Sequence, residues 1–240
     1  MTESAVHVTP DRAEVLALVR SSPAYVAVHD KVGWVGIFGQ EHVVEDPVGA
    51  RPVRSQDSCA LERFWDTFIA PNDIVFEVAQ DWVDGFDVVR DATIVTTLAP
   101  GVVVRTPAHL IYQTGYEDGE LKVRRMAAYW EPRPVYLQLM RPRRAYVVAA
   151  VSQFAHMFRT LGVVAALQFV GAARYVGRHR RRTLLTKLAV SGIRDVSKVI
   201  VSGNSVTASG TLDGAPVAVI ADFAPRSRAF RSLKTYGDPA

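Results

Sequence analysis

An α+β fold in two modules follows from three features of this 240-residue chain. Apolar residues recur at helical spacings of three and four up to Ile69, and from Asp73 onward the pattern turns to long β-rich segments. After Met140, just ahead of the run RPRR, the charge balance reverses: residues 1–140 hold 12 Lys/Arg and 20 Asp/Glu, residues 141–240 hold 16 and 4. The expected division is a helix-then-sheet module over 1–135 and a basic extension over 136–240, helices first and a small β-meander after them.

Taken in order, Pro10-Asp11 ahead of AEVLALVR marks the first helix, with Asp11 as N-cap and Glu14 completing a capping box. Pro23 is expected to end it. A second helix is expected over 24–38, where Tyr25, Val28, Val32, Val35 and Phe38 share a face. Val43 and Val44 make a short strand running into the turn at Asp46-Pro47-Val48-Gly49, and Leu61, Phe64, Trp65 and Phe68 give a helix over 60–69. Four β-rich segments, 74–78, 88–97, 102–112 and 121–130, with turn signals at Asp84-Gly85 and Asp118-Gly119, form an antiparallel meander. The preceding helices must cover one face of that sheet. In the extension, helices over 136–155, kinked at Pro142, and over 161–188 precede three short strands, 196–202, 206–212 and 217–223.

Several classes of protein are excluded at this point. With 49% hydrophobic and 22% charged residues the chain can bury a core and is not a disordered linker. Cys59 is its only cysteine, so neither an intrachain disulfide nor a zinc finger can form. The opening segment MTESAVHVTP carries an acid and a proline where a signal peptide needs a cationic start and an apolar run, so a cytoplasmic protein is expected. The most apolar stretch is split by Arg159 into runs too short to span a bilayer.

Asp46 is the strongest chemical candidate. Pro47 lacks an N–H and holds the residue before it in extended geometry. At the mouth of a cavity lined by Trp34, Phe38, Phe64, Trp65 and Trp130, such a carboxylate would lose hydration and act as a general base. The competing interpretation is that Asp46 only shapes the turn. The acids of DWVDGFDVVRD, Asp81, Asp84, Asp87 and Asp91, have spacings that fit no single metal geometry and read as a solvated hairpin; no metal and no organic cofactor are expected.

The stretches IFGQEHVVEDPVGARP, ALERFWDTFIA, VVVRTPAHLIY and GELKVRRMAAYWE resemble the ketosteroid isomerases of the NTF2-like superfamily, which also holds the SnoaL-like polyketide cyclases. The resemblance covers residues from about 12 to 135 and is carried most specifically by VEDPVG. It implies a curved antiparallel sheet wrapped with helices into a cone that binds a flat hydrophobic molecule, with Asp46 as the base that removes a proton beside a carbonyl. The family's oxyanion tyrosine falls on Ser22, with Tyr25 one helical turn away, and its second oxyanion acid falls on His109. Strand alternation puts Pro107, His109 and Ile111 on one face and Ala108, Leu110 and Tyr112 on the other, so His109 either faces the ligand or packs against aromatic neighbours. The substrate-lining set implied by the resemblance is Trp34, Phe38, Val48, Phe64, Trp65, Tyr112, Met126 and Trp130, although aromatic residues at helix spacing also serve as ordinary core.

The resemblance says nothing about the extension. Its cluster of Arg178, Arg180, Arg181 and Arg182 reads either as a solvated helix end or as an anion site for phosphate or an acidic lipid headgroup. Without interleaved aromatics or a binding motif it does not specify nucleic acid. The basic helices are expected to dock on the acidic first module, as a lid over the cone or against a second subunit of a homodimer. Three readings of function result: an acid/base enzyme acting on a steroid-like or lipid-like carbonyl compound, a carrier of hydrophobic ligands, and a scaffold making membrane-surface contacts through the extension.

Overall fold

The structure, a computed structural model, describes residues 10–99, 101–141, 143–171, 178–225, 227 and 229–237. Helix α1 (Arg12–Ala27) begins at Asp11, whose carboxylate accepts from the Ala13 N–H at 2.9 Å, and buries Val15, Val19, Ser22 and Val26 along one face. The expected capping box is absent, because Glu14 instead accepts from the Tyr116 hydroxyl at 2.7 Å. Pro23 does not end the helix either. Its missing N–H would have bonded the Val19 carbonyl four residues back; that oxygen accepts from the Arg90 guanidinium at 3.5 Å instead. The second expected helix shortens to α2 (Lys31–Gly36), capped by the Asp30 carboxylate, and Phe38 opens strand β1 (Phe38–Glu45) rather than closing a helix. Strand β2 (Val53–Arg54) follows, then α3 (Ala60–Phe64), which widens into a π-helical turn over Trp65–Ile69.

Strands β3 (Asp73–Asp84), β4 (Asp87–Leu98), β5 (Val102–Glu117) and β6 (Glu120–Tyr129) form the expected antiparallel meander, longer than the apolar runs that announced it. β1 joins the sheet beside β6 in parallel, giving the order β2-β1-β6-β5-β4-β3. The inner face carries Val88, Ala92, Ala108, Leu110, Tyr112, Met126 and Ala128, packed against Val15 and Val19 of α1 and Trp34 of α2. Curved sheet and enclosed helices make the α+β cone that the resemblance implies.

In the extension, α4 (Pro132–Leu139) starts four residues before the expected helix, with Pro132 and Pro134 in its first turn, where a missing N–H costs nothing. Helix α5 (Arg144–Gly171) runs unbroken past the expected end at Ala155 and breaks only at Gly162, whose φ of 78° is non-helical. Pro142, the expected kink, lies outside the described residues, as does the 172–177 part of the helix expected over 161–188; α6 (Arg178–Val190) covers the rest. A four-stranded antiparallel sheet closes the chain: β7 (Val199–Ser202), β8 (Ser205–Leu212), β9 (Ala215–Phe223) and β10 (Phe230–Gly237). Its fourth strand was not legible in the sequence. β10 is exposed along most of its length and has no apolar alternation; pairing with β9 makes it a strand.

The two sheets lie face to face. Trp82, Val89, Ile111, Ala127 and Tyr129 on the outer face of the first share a buried cluster with Ile200, Ala218, Ile220 and Tyr236 of the second, and the far face of the second sheet packs on Leu184 and Leu188 of α6. The acids expected to form a solvated hairpin stitch this assembly instead. Asp81 holds the buried Arg90 through two bonds of 2.7 and 3.0 Å, Asp91 pairs with Lys198, and Asp84 and Asp87 both reach Lys234 at 3.1 and 3.0 Å.

Candidate active site

Asp46 directly follows strand β1, and the strand's period-two alternation carries on to decide where it points. Val44 lies in the inner core and Asp46 continues that face, whereas Glu45 between them turns outward to Arg125, with contacts of 2.6 and 2.8 Å. The Asp46 carboxylate accepts from the Trp130 indole N–H at 2.6 Å. Two cavities meet at this side chain. One, of about 210 Å³, is lined by Phe64, Ile74, Ile94, Val104 and Trp130 of the first module and by Tyr136, Leu139, Phe154 and Met157 of α4 and α5. The other, of about 250 Å³, opens on the opposite side past Arg51, Pro52, Val53 and Arg63. Asp46, Phe64 and Phe68 belong to both walls, so the carboxylate divides an apolar chamber from a more polar vestibule. This position leaves Asp46 some surface while surrounding it with protein. Burial raises its pKa from the ordinary 3.8 to about 6, against the opposing effect of the Trp130 hydrogen bond.

Of the residues expected to line the ligand site, the structure brings Phe64 and Trp130 to the chamber with Asp46. Trp34, Phe38 and Trp65 fill the narrow end of the cone: the Trp34 ring lies 4.9 Å from Phe38, 5.6 Å from Trp65 and 6.0 Å from Phe64, centroid to centroid. Four rings packed on one another leave no room there for a ligand. Tyr112 and Met126 are likewise core, and Val48 belongs to the cluster between the sheets.

The three residues expected to hold an oxyanion are not at the chamber. Ser22 accepts from the Trp34 indole at 3.2 Å and the Tyr112 hydroxyl at 3.4 Å inside the helix–sheet core. Tyr25 packs its ring over Gly33, where a Cβ would come within 2.5 Å of it. His109 faces away altogether. The chamber takes Val104 and Thr106 from β5, which places odd-numbered His109 on the outer face, in a cross-strand row with Asp91 and Tyr129. There it is fully buried between the sheets, Nδ1 2.7 Å from the Thr207 hydroxyl and Nε2 2.8 Å from that of Ser209, which donates onward to Asp91 at 2.5 Å. Burial pushes the His109 pKa down, outweighing the support of Asp91. His109 is a neutral inter-sheet clamp and not a ligand group.

The arginine cluster also changes meaning. Arg180 is buried, donating to Asn204 Oδ1 at 2.8 Å and to the Gly203 carbonyl at 3.3 Å while lying over the Phe223 ring. Arg181 and Arg182 remain exposed, and the side chain of Arg178 is outside the described set. No built anion site results.

A third of the chamber wall was invisible to sequence reasoning because α4 and α5 supply it. The signal available was limited to an apolar helix pair expected to act as a lid. α4 is held where β6 stops at Tyr129 and leaves the lower half of β5 without a neighbour; there the Gln138 amide both accepts from the Arg105 N–H (3.0 Å) and donates to its carbonyl (2.9 Å), as a strand would. Leu98, Val102 and Val104 then pack on Val135, Leu139 and Ala149.

Neither a family profile nor a curated protein matches the chain. Among solved structures, it is similar to the Δ5-3-ketosteroid isomerase of Mycobacterium sp. (24% identity, 53% of this chain and 97% of that one, TM-score 0.46). It is also similar to a Mycobacterium tuberculosis protein crystallised with estradiol-17β-hemisuccinate (20% identity, 49% and 94%, TM-score 0.44) and to an epoxide hydrolase of the same species (17%, 60% and 99%, 0.46). The first module is an α+β cone of a curved sheet and N-terminal helices. These likenesses extend over about half of the chain; reaction and ligand have to be argued from its own residues.

Proposed function

We propose that this protein binds an apolar carbonyl compound in the chamber between the cone and α4–α5, and that Asp46 abstracts a proton beside the carbonyl. The observation that carries this reading is a carboxylate at the wall of an apolar chamber with its pKa raised to about 6. Such a group is ionised at neutral pH yet basic enough to take a proton, and the Trp130 N–H fixes its orientation without protonating it. Steroid-like and polycyclic ketones are the proposed substrate class, in keeping with the resemblance carried by VEDPVG.

The second reading, a carrier that binds without turnover, is favoured by the placement of Ser22, Tyr25 and His109 away from the chamber. One experiment separates the two: conversion of a Δ5-3-ketosteroid to its conjugated isomer, followed by ultraviolet absorbance, beside equilibrium binding of the product. For the enzyme, Asp46→Asn removes turnover and keeps affinity within a few-fold; an unchanged rate in the variant overturns the base assignment. Binding without turnover in the wild type supports the carrier.

A homodimer is part of the same proposal. The outer face of the cone's sheet is occupied by the chain's own second sheet, so two copies would meet elsewhere, and sedimentation equilibrium tests it. Among the described residues no helix is long and apolar enough to cross a membrane. Surface contact through Arg181 and Arg182 would show as salt-sensitive sedimentation with acidic liposomes.

A further inference from the structure

Tyr136 is set into the chamber wall with nothing to bond. Its hydroxyl is the buried side-chain polar atom that, among the described residues, has no hydrogen-bond partner, and it lies on the same chamber as Asp46. Several of its polar neighbours on that wall already have hydrogen-bond partners. The Thr67 hydroxyl donates to the Arg63 carbonyl at 2.6 Å and lies 3.0 Å from the Thr160 hydroxyl, Gln153 donates to Asn72 at 2.5 Å, and the Trp130 indole serves Asp46. Burial raises the Tyr136 pKa, so the phenol remains a neutral donor at physiological pH.

The ring is also held in place. It stands 6.2 Å from Phe154 of α5, centroid to centroid, and its helix is fastened to the backbone of Arg105 by Gln138 two residues further on. A buried phenol hydroxyl left without an acceptor is unfavourable, and phenylalanine would fill the same space without that penalty. An orphaned donor on a residue that lines a cavity the chain does not fill is what a ligand's oxygen atom would complete.

We propose that Tyr136 is the hydrogen-bond donor to the ligand. It then selects, among apolar molecules that enter the chamber, those carrying an acceptor oxygen such as a ketone, ester or lactone carbonyl. This inference rests on the reading of the chamber as a ligand site and adds the group that recognises the ligand's polar atom. It also gives the extension a specific part in binding, since Tyr136 comes from α4 and not from the cone.

The test uses a matched pair of probes, 2-acetylnaphthalene and 2-ethylnaphthalene, which differ by a carbonyl against a methylene, titrated calorimetrically into the full-length wild type and Tyr136→Phe. The wild type is expected to bind the ketone about tenfold more tightly than the hydrocarbon, equivalent to about 1.4 kcal/mol. In Tyr136→Phe the ketone falls to the level of the hydrocarbon, and the melting temperature does not fall, because the deleted hydroxyl had no protein partner. Equal affinities in the wild type, or a ketone preference that survives in Tyr136→Phe, overturn the assignment of Tyr136 while leaving the chamber as an apolar ligand site. A lower melting temperature in the variant overturns it as well, by showing that the hydroxyl supports the fold. Failure of both probes to bind overturns it together with the reading of the chamber.

Discussion

At Asp46 stability and chemistry pull in opposite directions. A carboxyl whose folded pKa is raised to about 6 from 3.8 favours its protonated form in the native state. Its contribution to stability is therefore whole below about pH 4 and is lost as pH rises through about 6. Ionised at neutral pH, it costs the fold roughly 3 kcal/mol at 1.36 kcal/mol per pKa unit. Asp46→Asn keeps an acceptor oxygen for Trp130 and removes that cost, so the variant should melt higher than wild type at pH 8 and gain little at pH 4; calorimetric scans at the two pH values check it. Turnover, which needs the ionised base, should decline as pH falls below about 6. Asp91 shows the opposite balance. Burial acts to raise its pKa, but the nearby His109 and hydrogen bonds from Lys198 and Ser209 outweigh it and hold the carboxylate well below its usual range. Asp91→Ala would strand Lys198 between the sheets, at a cost of roughly 3 kcal/mol measurable by urea denaturation.

Among the elements, the turn after Asp46 and the hairpin between β7 and β8 depend on each other. Gly49 and Gly203 meet backbone to backbone: a Cβ on Gly203 would lie 2.8 Å from the Gly49 Cα, and one on Gly49 would lie 2.5 Å from the Gly203 Cα. Both have positive φ, 98° and 56°. The Ser202 hydroxyl, which can be directed to either acceptor, lies 2.8 Å from the Val48 carbonyl and 3.2 Å from that of Trp130, the residue whose indole orients Asp46. The second sheet thus braces the turn that carries Asp46 from behind. Gly203→Ala should cost at least roughly 1–2 kcal/mol for the left-handed backbone alone. Because the displaced partner is the turn itself, it should also reduce Asp46-dependent turnover more than an equally destabilising substitution in α6; melting curves and rates measured side by side decide it.

For the molecule as a whole, the interface between the sheets is where acid should act first. The His109 pKa is pushed below its ordinary 6.5 by burial, and that of Asp91 is held below its ordinary 3.8. Both groups bind protons more readily unfolded than folded, so both contribute stability that is present at neutral pH and lost as pH falls, first through His109 and then through Asp91. Trp82 reports on this boundary, since its indole crosses it to the Pro216 carbonyl at 2.8 Å. A change in tryptophan fluorescence on acidification should precede loss of far-ultraviolet ellipticity from the sheets, and His109→Phe should shift that change to lower pH. Coincident transitions at the same pH in both proteins would show that the modules do not separate.

The elements of the cone were legible because their cause is local. Four alternating segments with Asp-Gly turns specify a meander wherever they occur, and the apolar faces of α1 and the helix after Cys59 specify what covers it. Asp46 was legible too, through the proline and glycine around it. The sequence also showed that the chain has two parts of opposite charge. What only the tertiary structure decided was which face of each strand looks into the chamber and what stands opposite. The resemblance pointed to His109, alternation correct in period but silent on sign left its direction open, and the sign was set by a second sheet about one hundred residues downstream, where Thr207 and Ser209 receive the imidazole. Pro23 failed to break α1 because a buried arginine on β4 took the carbonyl it left open. Strand β10 and the Tyr136 wall follow the same principle, since each owes its place to partners distant in sequence, and such contacts leave no periodic trace in the segment itself.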